Sequence, residues 1–135
     1  MSRVIVRGER IVFPDGERPG AICIEDGIIQ STGEINDFPV IEGDRLIDAA
    51  NHVVMAGMID VHVHINEPGR TDWEGFETAT KAAAMGGSTL LVDMPLNSTP
   101  VTTTVENFQL KLDAAEGKLA VNVCLLYTSP SPRDS

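Results

Sequence analysis

Apolar residues in the first third of the chain come in short runs broken by glycine, proline and acidic residues, and their spacing never reaches a helical period. Val4–Val6, Ile11–Phe13, Ala21–Glu25, Ile28–Ser31 and Arg45–Asp48 each read as a short strand. Between two β-branched runs stands Asp26-Gly27, a strong hairpin signal because both central positions of a type I′ turn need positive φ. Gly8, Pro14, Gly16, Pro19, Gly20, Gly33, Pro39 and Gly43 interrupt the segment too often for helices, so a small all-β layer is expected over residues 1–54.

The pattern changes after His52, which is expected at the surface. Val53 to Ile65 is a long apolar run whose polar members, Asp60, His62 and His64, alternate at its C-terminal end. Thr71 and Glu74 have capping-box spacing, Trp73, Phe76, Thr80, Ala83 and Ala84 follow a helical period, and Gly86-Gly87 closes the helix. Trp73 and Phe76 are expected in the core. Ser88–Asp93 reads as a second strand, and a Pro- and Thr-rich loop from Met94 to Thr102 leads to a second capping box, Thr103 with Glu106. The helix that follows carries Val105, Phe108, Leu112 and Ala115 on one side, and Leu119–Val123 begins a third strand. Strand, helix, strand, helix, strand at this spacing predicts a parallel βαβαβ series over residues 55–123.

Composition narrows what such a series belongs to. The 135 residues are too few for a complete (β/α)₈ barrel, which takes about 250. Twenty acidic side chains against ten basic ones give a formal charge of −10, which repels phosphate backbones and anionic lipid, so neither nucleic acid nor a membrane is an expected partner. No membrane-length apolar run and no signal-peptide pattern appear, so an intracellular, cytoplasmic protein is the expectation. The two cysteines, Cys23 and Cys124, lack CxxC spacing, and Cys23 in its apolar run reads as a small buried hydrophobe.

The last twelve residues, 124–135, break the pattern, since a strand would have to run into Ser-Pro-Ser-Pro. Cys124 to Asp134 resembles, residue for residue, one translated frame of a common transposon-type sequencing adapter. The stretch 124–135 is therefore expected to be a non-native tail.

The sharpest chemical feature is Asp60-Val61-His62-Val63-His64. Side chains at i and i+2 of a strand point the same way, so two imidazoles at a strand end can converge on one cation, about 2.0–2.1 Å from each nitrogen. Asp60, one alternation back, is a candidate to orient the pair from outside the ligand set. A bare HxH is only moderately specific, but here it opens a βαβ series at the strand end where α/β barrels place their reactive groups.

Gly57-Met58-Ile59-Asp60-Val61-His62-Val63-His64 resembles the first barrel strand of the amidohydrolase superfamily, in the cyclic-amidase branch that includes dihydroorotases, hydantoinases and allantoinases. Asn66 to Thr78 and Asp93-Met94-Pro95-Leu96-Asn97-Ser98 are similar to the allantoinases. Dihydroorotases generally carry an arginine where this chain has Asn66, and a neutral amide suits a ligand without a carboxylate. Ala56 replaces a usual proline, and Ser88 and Leu90 depart from the usual β-branched and Thr pattern; both are scaffold changes.

The resemblance implies an α/β protein: a small N-terminal β-sandwich followed by the first βαβαβ part of a metal-dependent hydrolase TIM barrel, truncated here. It implies two divalent metal ions, commonly zinc in that family, with His62 and His64 as ligands. It also implies hydrolysis of the cyclic amide of allantoin to allantoate in a homo-oligomer, a tetramer, of the full-length protein. Asn66, Asn97 and Arg70 are the substrate-binding candidates; a turn role for Asn97, and capping or pairing with Asp72 and Glu74 for Arg70, stay open beside it. The family's bridging lysine, later histidines and proton-shuttling aspartate come from later strands, so the chain by itself is expected to be inactive. A dihydropyrimidinase, hydantoinase or dihydroorotase activity, or a non-catalytic scaffold relative, are the alternatives.

Overall fold

The computed structural model describes residues 3–127. The chain forms two compact units, Met1–Ala56 and Gly57–Ser135. In the first, β1 (Arg3–Phe13), β2 (Gly16–Glu25), β3 (Ile28–Gly33), β4 (Arg45–Asp48) and β5 (Val53–Val54) make one mixed sheet in the order β3-β2-β1-β4, with β5 also on β1. The two short runs at Val4–Val6 and Ile11–Phe13 are thus one strand, bent by an irregularity between Gly8 and Ile11. Asp26 and Gly27 adopt φ of 49° and 82°, as the hairpin signal requires. Ile5, Ile11, Ala21 and Cys23 supply the buried side of the sheet. Where a small sandwich is expected, the described residues of this unit form one sheet.

The second unit is the parallel series: β6 (Met58–Val63), α1 (Phe76–Met85), β7 (Ser88–Asp93), α2 (Val105–Ala115) and β8 (Asn122–Leu125), with strands in the order β6-β7-β8. Its core is Ile65, Phe76, Ala79, Leu91 and Ala115, with Val63, Ala83, Val121 and Val123 packed against it. Neither helix exceeds 11 residues, and among the described residues none is long and apolar enough to cross a membrane.

Five local expectations change. The first helix does not start on Thr71 and Glu74: Gly75 is its cap residue, and the Glu67 carboxylate, nine positions before Phe76, accepts the Phe76 N–H at 2.9 Å. Trp73 therefore precedes the helix, in a turn closed by its own N–H on the Arg70 carbonyl, and is 70% exposed instead of buried, while Phe76 is fully buried. The second helix is capped one residue later than Thr103, by Thr104 accepting the Asn107 N–H at 3.2 Å. Its inward face is Lys111 and Ala115 with half-buried Phe108, whereas Val105 and Leu112 are exposed, because Lys111 is drawn inward by a buried anion.

The third strand begins at Asn122 instead of Leu119 because the segment before it is tied elsewhere: the Ala120 N–H bonds the Thr80 hydroxyl of α1 at 3.0 Å. The ladder then continues through Cys124 opposite Val92 and Leu125 opposite Asp93. Residues 128–135 of the adapter-like stretch lie outside the described residues.

Candidate metal centre

Strand alternation decides which side chains of β6 meet the helices. Val63 and Ile65 pack into the core with Phe76, Ala79 and Leu91, so His62 and His64 fall on the opposite face. Both imidazoles are exposed, their ring centroids 5.1 Å apart and inclined by 61°. Asp60 does not touch either ring through a described hydrogen bond; its Oδ1 accepts the His62 backbone N–H at 3.1 Å and so stiffens the strand end. Neutral imidazole nitrogens are good ligands for zinc and similar divalent ions, which take four ligands in most protein sites. The pair fits half of such a set. Among the described residues, no group of three or more His, Cys, Asp or Glu side chains is assembled to hold a metal ion.

The loop after β6 carries the next candidates. Asn66 is buried, its N–H on the Glu74 carbonyl and its carbonyl accepting from Arg70, both at 3.0 Å. Its side-chain Oδ1 is buried without a partner. Arg70 is exposed and neither caps the helix nor pairs with Asp72 or Glu74; its guanidinium sits 5.3 Å above the Trp73 ring. Asn97 is half-buried in the loop after β7, beside buried Pro95 and Ser98. Thr99 N–H donates to the Pro68 carbonyl at 2.8 Å, which joins the loop carrying Asn97 to the loop carrying Asn66 and Arg70.

Three buried charges behind this site are not evident from spacing. Asp93, the last residue of β7, accepts the Ile65 N–H through Oδ1 at 2.6 Å and pairs through Oδ2 with Lys111 Nζ at 2.6 Å, both side chains being 1% exposed. Lys111 Nζ also donates to the Ile65 carbonyl at 2.9 Å. Burial pushes the Asp93 carboxyl above its ordinary value, against the opposing pull of Lys111, the Ile65 N–H and His64. Glu67 is the third, held between the α1 N-terminus and Lys118. The one signal in the sequence was a lysine at an inward helical position, on the same face as Ala115.

The amidohydrolase family pattern matches residues 53–135. The allantoinase of Streptomyces avermitilis is 48% identical over 120 residues, 89% of this chain and 27% of that protein. The mitochondrial allantoinase of Aquarana catesbeiana is 50% identical over 119 residues, 88% of this chain and 24% of that one. Among solved structures, the L-hydantoinase (dihydropyrimidinase) from Arthrobacter aurescens superposes with a TM-score of 0.79 at 33% identity, over 93% of this chain and 27% of its own. The chain spans about a quarter of the length of these relatives. With an α/β series of this order, an HxH strand end and a family match over more than half its residues, the chain belongs to the amidohydrolase family.

Proposed function

We propose that the protein of which this chain is part opens the hydantoin ring of allantoin by hydrolysis, giving allantoate. The observation that carries this reading is identity of 46–50% to three proteins named allantoinase over nearly nine-tenths of the chain. His62 and His64 would hold a divalent metal as two of its ligands, and zinc suits them. Such an ion, when bound, lowers the pKa of water toward neutrality and polarises an amide carbonyl.

The chain's own residues then orient the ring. Asn66 Oδ1 is a buried acceptor with no partner, a state that costs about 1–3 kcal/mol, and a ring N–H would remove that cost. A neutral amide there suits an uncharged ring better than a carboxylate-bearing one. Asn97 and Arg70 are the further substrate contacts in this reading, Arg70 with its guanidinium plane supported by Trp73. Residues 1–54 form the N-terminal layer, 55–123 the start of the barrel and 124–135 adapter read-through, and the complete protein is a cytoplasmic tetramer.

The test is the protein expressed from the uninterrupted genomic reading frame. It is expected to hydrolyse allantoin faster than dihydrouracil or a 5-substituted hydantoin, to lose that activity on chelation, and to lose it with His62→Ala. Faster turnover of the dihydropyrimidine or hydantoin would instead support the second reading, which the hydantoinase superposition favours. Metal-independent turnover, or none, would sink both. The 135-residue chain alone is expected to show no turnover above background. Genomic DNA encoding Tyr127 to Asp134 within a longer gene would refute the adapter origin of the tail.

A further inference from the structure

We propose that the buried Asp93–Lys111 pair is a positioning clamp that holds the His62/His64 strand end from its reverse face. The proposal rests on the metal reading of those two histidines and adds residues outside it. Regular pairing between β6 and β7 ends at Val63 opposite Asp93, with the Met94 N–H on the Val63 carbonyl at 2.9 Å. Beyond that point no ladder partner serves Ile65. Its N–H goes instead to Asp93 Oδ1 at 2.6 Å and its carbonyl accepts from Lys111 Nζ at 2.9 Å. One ion pair therefore satisfies both backbone groups of the residue standing between His64 and Asn66.

The rest of the clamp is rigid. Asp93 is anchored at the end of the central strand, where its own carbonyl accepts the Leu126 N–H at 3.0 Å. Lys111 projects from α2 with its ammonium 5.8 Å from the Phe76 ring centre, and Ile65 itself is 1% exposed in the same core. Leu91 and Asp93 share one face of β7, and Leu91 packs with Ile65 against the helices. The pair thus grips the strand end through the backbone N–H and carbonyl of Ile65. A buried ion pair is a weak source of stability compared with apolar residues of the same volume, whereas it fixes geometry through directional bonds. Groups that orient metal ligands typically change metal affinity about 10–100-fold when removed.

The test uses the protein expressed from the uninterrupted genomic reading frame, isotope-labelled and metal-free, followed by titration with zinc(II) against a chelating dye. In the unmodified chain the Ile65 amide is expected to exchange with solvent as slowly as those of Leu91 and Val92. In the double variant Asp93→Leu/Lys111→Met, which leaves no lone buried charge, Ile65 exchange is expected to rise at least tenfold. The His64 ring resonances should shift or broaden, and zinc affinity should fall about 10–100-fold, with the circular dichroism preserved. Ile65 exchange in the unmodified chain as fast as that of exposed Val61 would overturn the proposal whatever the variant does. A folded double variant with unchanged ring resonances would overturn it as well. If His62→Ala leaves zinc affinity unchanged while the exchange and resonance effects of the double variant persist, the metal reading fails and the clamp stands.

Discussion

Replacing Glu67 by glutamine should loosen the start of α1 while leaving its shape in place. The side chain is 9% exposed and does two jobs: Oε2 accepts the Phe76 N–H at 2.9 Å, and Oε1 pairs with Lys118 Nζ. An anion at a helix N-terminus is worth about 0.3–1 kcal/mol when exposed and up to about 2 kcal/mol when partly buried. The Lys118 side chain is 39% exposed, so solvent screens the pair and its share is about 0–1 kcal/mol. Glutamine keeps one acceptor oxygen but no charge, and the expected loss is about 1.5 kcal/mol, close to tenfold in the local opening equilibrium. Because the chain has two compact units, one global unfolding transition is the wrong readout. Native-state hydrogen exchange of the Ala79–Ala83 amides reads α1 directly. Adding Lys118→Met to Glu67→Gln should change little further, since the lysine's partner has already gone. A change in α1 exchange below twofold for Glu67→Gln would refute the reasoning.

Gly69 has φ of +88°, and a methyl group there would overlap the Thr99 carbonyl oxygen, so Gly69→Ala should cost more than about 2 kcal/mol and expose the Thr99 amide to exchange. Thr80 is fully buried, its hydroxyl donating to the Phe76 carbonyl at 2.6 Å and accepting the Ala120 N–H. Thr80→Val keeps the volume but strands that N–H, at about 1–3 kcal/mol, seen as faster exchange at Ala120 than at Leu91. Asp48 is held below the ordinary carboxylate range, first by the Ala50 N–H and then by Arg7. A carboxyl with a depressed folded-state pKa contributes stability above its ordinary value and loses it as pH falls through the depressed one. Urea midpoints of the N-terminal unit, followed from neutral pH downward, should therefore drop less steeply in Asp48→Asn than in the parent; equal slopes would contradict the assignment.

Much of this architecture could be read from local rules, and the exceptions share a cause. The Asp26-Gly27 turn, the Ser88–Asp93 strand and the glycine stop after Met85 each depend on neighbours in sequence, so their residues announce them. The start of α1 does not. Its cap comes from Glu67 across a loop, and the nearer Thr71 and Glu74 offered a false signal of the right spacing. Trp73 followed the helical period but lies ahead of the first helical turn. His62 and His64 were visible because an i, i+2 pair defines its own geometry on a strand. Asp93 and Lys111 were not, since the contact joins a strand end to a helix 18 positions on and its purpose appears only when Ile65 is seen between them. The solitary Oδ1 of Asn66 is likewise a property of packing, with no trace in composition or spacing.

The mixed sheet of the N-terminal unit has a consequence for the order in which it assembles. On one side β1 meets β2 through the tight connection between Phe13 and Gly16, and β2 meets β3 through the two-residue turn at Asp26 and Gly27. On the other side β1 pairs in parallel with β4, Val4 opposite Arg45, so the chain must close a far longer loop before a single ladder bond forms. Each doubling of loop length adds about 0.6 kcal/mol of closure entropy, and the four or so doublings here add about 2–3 kcal/mol. The β1–β2–β3 meander thus forms on the microsecond scale of hairpins and presents a finished edge, onto which Arg45–Asp48 docks, with Arg7 and Asp48 fastening the last matched pair at 2.9 Å.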